Sequence, residues 1–368
     1  MHDTRPTSLR QLARQAALAA PLLLAGLTGC AGMAQRHAEH HAEHHGQHGK
    51  SASAGAYSFG LWGDMPYLRN GDAAKLPAVL ASINGSDIAF SIYNGDIKDG
   101  SSRCDDKVYT DALAMFNGMK QPVVYIPGDN EWTDCHRSNN GGFDALERLG
   151  HLRRVLFPTL DSLGAKTMPL THQGRASGDK YIENVRFSRG PVVYAGLNVP
   201  GSNNNLVINA VDCSDKSVRK AAQCDAANAE FLERDAANIE WLQQTFAQAR
   251  SQKARGVVVV VQGDPGFDLP ETPTVDESLL PTNSGYRSFM AELARLSAGF
   301  DGEVLFVHGD THNFKIDKPL HAPNQMLENF TRIETFGSPS LHWVRVTVRP
   351  DAANLFQIEP VIVAQPRK

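Results

Sequence analysis

The chain has 368 residues, a formal net charge of −4, and 42% hydrophobic and 8% aromatic residues, the profile of an ordinary globular protein. No basic run lies in its C-terminal 300 or so residues, which removes nucleic acid as a dedicated partner. Neither a Gly-x-Ser-x-Gly elbow nor a Gly-x-x-x-x-Gly-Lys-Ser/Thr loop occurs, which removes serine-hydrolase and P-loop chemistry.

The first 30 residues read as a bacterial lipoprotein signal. Arg5, Arg10 and Arg14 precede an apolar stretch over 16–27, and Leu27-Thr-Gly-Cys30 follows. That order predicts cleavage before Cys30 and acylation of its thiol, giving an exported lipoprotein at the periplasmic face of a bacterial cell envelope. The apolar stretch is too short to stay as a span, so the only expected membrane contact is the lipid. Residues 31–55 follow as a linker with six histidines between His37 and His48. Too polar to build a core, it is a solvated spacer or a weak metal trap. The remaining residues, 56–368, are enough for one large domain. Five cysteines leave four once Cys30 is acylated, an even number that suits an oxidising compartment. Cys213 and Cys224 are near in sequence, which leaves Cys104 with Cys135. Each bridge is expected to stabilise by about 2–4 kcal/mol.

Within the domain, strand-like runs near 57–62, 88–94 and 122–126 alternate with helical segments near 73–84 and 106–119. That rhythm predicts βαβ units and a parallel region. Leu146, Leu149, Leu152 and Leu156 predict a helix over 143–157. Residues 180–187 and 191–197 read as a hairpin, and Gly201-Ser-Asn-Asn-Asn205 as a polar loop, either on the active rim or just a turn. Phe231, Leu232, Ile239, Leu242 and Phe246 predict a long helix over 227–253 with one core-facing stripe. A strand at 256–261, a helix at 285–298 and a strand at 303–308 repeat the alternation. Strands near 327–336, 341–349 and 354–363 close an α/β domain.

Five of the apolar runs end in a glycine–acid pair: Gly63-Asp64, Gly95-Asp96, Gly128-Asp129, Gly263-Asp264 and Gly309-Asp310. Buried parallel strands read as continuous apolar runs, and their ligands collect at the carboxyl ends. Glycine and aspartate are ordinary turn formers, and an aspartate there also caps the next helix. Five recurrences, however, gather five carboxylates on one rim, where they repel unless a cation sits among them. A divalent metal, expected as a pair of ions, meets that need.

In order and spacing these motifs resemble the calcineurin-like metallophosphoesterases, and among them the purple acid phosphatase pattern. That pattern runs Gly-Asp, Gly-Asp, Gly-Asn-His-Glu, a histidine strand, then Gly-His-x-His. The resemblance covers roughly residues 56–315. It implies an αββα sandwich of two mixed sheets flanked by helices. It also implies a metal-activated water that attacks a small-molecule phosphate ester. It places Asp64, Asp96, Asp129, Asp310 and His312 on the metals, with Asp96 as the bridge. Asp264 or Gln262 completes the set, since the fourth motif has no histidine.

Against the family pattern, Asp129 stands at the asparagine ligand and Asn130 at the catalytic histidine. Asp99 stands at the ligating tyrosine, so no tyrosinate colour is expected. Hard oxygen ligands favour manganese or magnesium over zinc, with calcium or iron as alternatives. Arg137 offers a planar fork to a phosphate, or pairs within its own loop; with Asn130 it forms the expected catalytic set. His136 replaces the lost histidine only if its loop folds over the metals, and His308 is expected at a strand end. A second reading is a non-catalytic metal- or ligand-binding lipoprotein on the same fold. The third motif separates the two, because a competent enzyme needs a proton donor near Asn130.

The signal generates the first prediction. Cys30→Ala should move the protein out of the membrane fraction of fractionated cells; an unchanged distribution contradicts acylation at Cys30.

Overall fold

Side-chain alternation decides the architecture. In β1 (Tyr57–Trp62), Phe59 and Leu61 enter one apolar layer while Trp62 enters another. β2 (Ser91–Asn94) and β3 (Val123–Ile126) repeat this: Ile92, Val124 and Ile126 join the first layer, and Tyr93, Val123 and Tyr125 the second. The second layer is covered by α1 (Leu76–Asn84), α2 (Asp106–Asn117) and α3 (Ala145–Leu156) through Val79, Ile83, Phe116 and Leu152. Strands with apolar residues on both faces must be buried on both. The structure, a computed structural model, describes residues 55–209, 213, 219–267, 276–322 and 325–364. The expected signal with Cys30 and almost all of the histidine-rich linker lie outside the described residues.

The first sheet is completed by β13 (Trp343–Val348) and β14 (Phe356–Val361), in the order β14-β13-β1-β2-β3. β1, β2 and β3 are parallel, and β13 pairs antiparallel with both β1 and β14.

The second sheet is built from β4 (Thr171–His172), β5 (Val185–Arg189), β6 (Val192–Gly196), β7 (Gly256–Val260), β8 (Glu303–His308), β9 (Lys315–Asp317) and β12 (Phe330–Glu334). Its order is β4-β5-β6-β7-β8-β12-β9, with β6, β7, β8 and β12 parallel. The expected hairpin is β5–β6, paired antiparallel from Val185↔Gly196 to Arg189↔Val192. β10 (His321–Ala322) and β11 (Gln325–Met326) form a separate small hairpin.

The sheets face each other across Phe59, Ile92, Ile126, Tyr194, Val258, Val260, Leu305 and Val307. Val257, Val259 and Phe306 point the other way, onto α5 (Ala221–Ser251) and α6 (Arg287–Ala298). The result is the expected αββα sandwich. Each buried valine or phenylalanine contributes about 1.5–3 kcal/mol relative to exposure.

Two sequence expectations need adjustment. α5 starts six residues earlier than its apolar stripe suggests, and Leu232 lies on its solvent side, 67% exposed. The buried face runs instead through Phe231, Arg234, Asn238, Trp241, Leu242 and Phe246. Two of its polar members, Arg234 and Asn238, are fully buried, and each meets backbone carbonyls. Arg234 donates to the carbonyls of Asn198 and Asn204 at 2.8 and 2.9 Å, and Asn238 to that of Asn198 at 2.8 Å. An apolar periodicity count cannot see positions that are buried by hydrogen bonding.

Both expected disulfides are present, Cys104–Cys135 and Cys213–Cys224. The first is wholly buried, with its sulfurs 3.5 and 3.7 Å from the carbonyl oxygen of Asn130. Mass mapping of alkylated, non-reduced protein should therefore find no labelled cysteine in the mature domain, and labelling of all four would refute the pairing.

Candidate metal centre

The carboxyl ends of β1, β2, β3 and β8 lead into loops that meet at one point. Asp64 N–H donates to the carbonyl of Gly95 at 2.9 Å, and Asp310 N–H to Asp64 Oδ1 at 3.2 Å. Two glycines permit this approach: a Cβ on Gly128 would overlap Asp96 Oδ1, and one on Gly309 would overlap Asp64 Oδ2. Four of the converging residues have left-handed backbones: Asp64 (φ 51°), Asp96 (63°), Asp310 (74°) and His312 (65°). Such conformations cost about 1–3 kcal/mol each and concentrate at functional sites.

Two ligand-like groups result, and they share one residue. Asp64, Asp96 and His312 bring one ligand atom each within 4.8 Å of one another, and so do Asp96, Asp129 and Asp310. The structure thus brings together five of the six expected metal residues and puts Asp96 where a bridging carboxylate would stand. Asp64 Oδ2 and Asp129 Oδ1 are buried with no hydrogen-bond partner among the described residues. An unmatched buried acceptor costs about 1–3 kcal/mol, and a hard cation is the partner that two such oxygens in one cluster would take. The residues present therefore fit a pair of oxygen-preferring ions.

Supporting contacts hold these groups in place. His312 Nδ1 donates to the carbonyl of Ser338 at 2.7 Å, which turns Nε2 toward Asp64 Oδ1, 3.5 Å away. That arrangement fixes the tautomer a metal would need. Glu131 Oε1 accepts from Gly128 N at 2.8 Å, the Tyr125 hydroxyl at 2.8 Å and Asp96 N at 3.2 Å, tying the second motif to the third. Glu334 Oε1 accepts from Asn313 N at 2.6 Å and from the Thr311 hydroxyl at 2.5 Å, which pins the loop between Asp310 and His312.

The fourth motif does not add a ligand to either group. Asp264 Oδ1 accepts from the N–H groups of Gly266 and Phe267 at 2.9 and 3.3 Å, as a loop cap does. Gln262 Oε1 accepts from Gly201 N at 2.6 Å, and its Nε2 lies 3.4 Å from Asp310 Oδ1. The glutamine therefore buttresses Asp310. Asp99 likewise turns to its own loop, accepting from Ser101 N and the Ser102 hydroxyl.

Tyr67 stands in the centre instead, and the sequence reading missed it. Its hydroxyl donates to Asp96 Oδ2 at 2.7 Å, accepts from Asn130 Nδ2 at 3.0 Å and lies 3.3 Å from His312 Nε2. The basis for expecting no tyrosine at the metals was Asp99, and Tyr67 removes it. The signal was there as Asp64-Met-Pro-Tyr67, an acid with a tyrosine three residues on, in the first motif rather than the second.

Asn130 points inward, with Nδ2 also bonded to Asp96 Oδ2. Arg137 pairs with Asp134 at 2.5 Å and donates to the Ser202 hydroxyl at 3.3 Å. Ser202 Oγ lies 2.7 Å from Asp129 Oδ2 and 2.8 Å from Asp134 Oδ1. Asp134 was absent from the expected site, and Ser202 entered the sequence reading only as part of a polar loop on the rim or a plain turn. His136 bonds through Nδ1 to the carbonyl of Thr133 at 2.7 Å, within its own turn. His308 sits at the end of β8, fully buried, 3.3 Å from Arg332 Nη1.

The crowding of acids moves their protonation. Burial first, and the Asp129 charge second, hold Asp96 and Asp310 well above the ordinary carboxylate range. Burial also raises Asp64, against its hydrogen bond to His312, and burial with the Asp129 charge pushes Asp134 up to about 8. For His312 burial opposes the charge, but Asp64 outweighs it and the pKa rises to about 9. Every one of these groups binds protons more tightly folded than unfolded. Metal-free protein therefore loses stability as pH rises from about 4, where unfolded carboxylates titrate, through about 8 for Asp134. A cation should relieve that loss. Scanning calorimetry should show a larger thermal stabilisation by manganese at pH 8 than at pH 5, and equal shifts at both would contradict the cluster.

No protein-family model matches the sequence, and no curated protein matches it. In three dimensions it is similar to the structure of PhoD, with TM-score 0.50 and 11% identity, over 84% of this chain and 69% of that one. Purple acid phosphatase PPD1 from yellow lupin seeds gives TM-score 0.44 and 10% identity, over 83% of this chain and 51% of that one. A 5′-nucleotidase from Candida albicans gives 0.37 and 12%, over 82% and 50%. The chain spans about half the length of these last two. On the layers, the strand order and the likeness to PhoD, the chain has the calcineurin-like metallophosphoesterase fold.

Proposed function

We propose that the protein is a metal-dependent phosphoesterase of the bacterial cell envelope, tethered through Cys30. The observation that carries this reading is the pair of ligand groups sharing Asp96. Asp64, Asp96 and His312 would hold one ion, with the Tyr67 hydroxyl beside them. Asp96, Asp129 and Asp310 would hold the other. Manganese or magnesium suits these oxygen donors better than zinc. Such a pair of ions supplies the positive charge that offsets an incoming phosphoryl group and lowers the pKa of water.

The chain's own residues do the rest. Asn130 Nδ2 offers a hydrogen bond to a phosphoryl oxygen, and the Arg137 fork, half-exposed and held by Asp134, offers a charge-assisted one. The Ser202 hydroxyl, bonded to Asp129, accepts from Arg137 and so ties that fork to the acids. An amide has no acidic proton, so Asn130 cannot protonate a leaving alkoxide. Turnover should therefore favour acidic leaving groups, aryl phosphates over alkyl phosphates. The same amide, in place of the family's histidine, favours the second reading, a binding protein that does not turn substrate over.

Metal-binding calorimetry and an aryl phosphate assay across divalent ions test the proposal together. Asp96→Asn should lower affinity at both sites, and His312→Ala should lower it about 10–100-fold mainly at one. Aryl phosphate hydrolysis should follow metal occupancy. Binding without hydrolysis leaves the second reading; no binding by wild type leaves only the fold.

A further inference from the structure

A serine hydroxyl closes a ring with three charged side chains at the edge of the centre. Ser202 Oγ lies 2.7 Å from Asp129 Oδ2, 2.8 Å from Asp134 Oδ1 and 3.3 Å from Arg137 Nη2. Asp134 Oδ2 in turn pairs with Arg137 Nη1 at 2.5 Å. The hydroxyl proton thus has two carboxylate oxygens within reach. Asp129 and Asp134 are buried, whereas Ser202 and Arg137 are exposed. The proton acceptors stand behind the hydroxyl, and a substrate meets it from solvent. Asp129 keeps its other oxygen, Oδ1, in the ligand group with Asp96 and Asp310, without a hydrogen-bond partner among the described residues. One carboxylate would so serve a cation on one oxygen and the serine on the other. The backbone delivers the hydroxyl at a cost. Ser202 has φ 52° and ψ 48°, a left-handed conformation that costs a residue with a side chain about 1–2 kcal/mol. Gly201 before it sits where a Cβ would press on Asp129 and on Asp310 Oδ1, and its N–H is held by Gln262 Oε1 at 2.6 Å. Asn204 behind it donates to the carbonyl of Gly285 at 2.9 Å and accepts from Arg234 Nη1 at 2.5 Å. The serine is held in a strained turn from both sides, aimed at the acids.

We propose that Ser202 is the nucleophile of the first step and carries the phosphoryl group as a phosphoserine until water releases it. The inference rests on the phosphoesterase reading and deepens it: the chain attacks the ester, and water enters second. In the first step Ser202 Oγ bonds to phosphorus, the ester P–O bond breaks, and its electron pair leaves on the aryloxide. The seryl proton passes to Asp134 and on to solvent. The Arg137 fork, which already donates to Oγ, then lies against the phosphoryl oxygens and offsets their charge. In the second step a water oxygen bonds to phosphorus and the Oγ–P bond breaks. One water proton returns to Oγ, and the other stays on the released phosphate. A covalent intermediate splits one difficult displacement into two easier ones, and neither asks the amide of Asn130 for a proton. This is not the Gly-x-Ser-x-Gly elbow, since two carboxylates and a guanidinium surround the hydroxyl.

Two readouts on the manganese-loaded wild-type protein test this. Hydrolysis of an aryl thiophosphate made chiral at phosphorus with oxygen isotopes should proceed with retention, because each of two in-line displacements inverts the centre. Acid quenching during turnover of 4-nitrophenyl phosphate, followed by peptide mass mapping, should find phosphate on Ser202. A third measurement uses Ser202→Gly, which tolerates the left-handed backbone. At saturating manganese its kcat should fall by about 100-fold or more, while calorimetry still shows it binding the ion. If that variant does not fold, the two wild-type readouts decide. Inversion at phosphorus, phosphate mapped to a different residue, or wild-type kcat in Ser202→Gly overturns the inference alone. No hydrolysis and no adduct with any divalent ion overturns the phosphoesterase reading beneath it.

Discussion

Mutual repulsion around Asp96 is the constraint on which the rest of the site depends. Its carboxylate is fully buried within ligand distance of Asp64, Asp129 and Asp310. Two unit charges 4 Å apart repel by about 4 kcal/mol at an effective dielectric of 20, so four such carboxylates, three of them buried, cannot all ionise alone. Protons or cations must sit among them. The raised pKa values of Asp64, Asp96 and Asp310 are the proton answer, and the unmatched oxygens of Asp64 and Asp129 invite the cation answer. Tyr67 and Asn130 moderate the same charge by donating to Asp96 Oδ2. A protein that spends this much electrostatic energy on one carboxylate is not using it as a helix cap.

The geometry is held from outside the cluster. Left-handed ligands would relax if their loops were free, so each loop is fixed at a second point. Gly309 N–H bonds to the carbonyl of Gln262, Ser338 N–H to that of Asp64, and Asp134 N–H to that of Asp129. Beneath Asn130 lie the buried disulfide and the Tyr109 hydroxyl, which donates to the carbonyl of Glu131 at 2.7 Å. The guanidinium of Arg234 stacks over Trp132, 5.2 Å from its ring centroid. The third motif, which carries both Asp129 and Asn130, is thus clamped by a covalent bond, a phenol and a cation. Three apolar layers carry the stability that offsets the strain.

Much of this was legible in the sequence, and the reasons are physical. Strands buried on both faces announce themselves as unbroken apolar runs, and glycine–acid pairs at their ends marked four of the converging loops. Both disulfides followed from counting cysteines and pairing the two nearest in sequence. What stayed hidden depended on side-chain direction. Nothing in Gly263-Asp264 says that its carboxylate folds back to cap its own loop, whereas that of Gly309-Asp310 points inward. Asp99 was placed by alignment to a motif, yet its serine neighbours capture it. Tyr67 belonged to a motif whose acid had already been assigned, and its reach depends on a turn that spacing does not reveal.

The turn at α4 (Gly201–Asn204) shows the same limit from the other direction. Ser202, Asn203, Asn204 and Asn205 all have positive φ, a run that ordinary residues avoid and asparagine tolerates. Three consecutive asparagines after Gly201-Ser202 were therefore a conformational signal, though they read as a polar loop on the rim or a plain turn. Gly201 packs where a Cβ would press on Asp129 and Asp310, so this turn must approach the ligands closely to place Ser202 on Asp129. Arg234 and Asn238 of α5 hold it there from behind through the carbonyls of Asn198 and Asn204. Those two buried polar residues, which break the apolar stripe of α5, gain their place by this contact. The acids of the first three motifs come from the first sheet, while the wall that faces them is set by a helix of the second. The αββα arrangement is what lets two independently packed layers meet at one carboxylate.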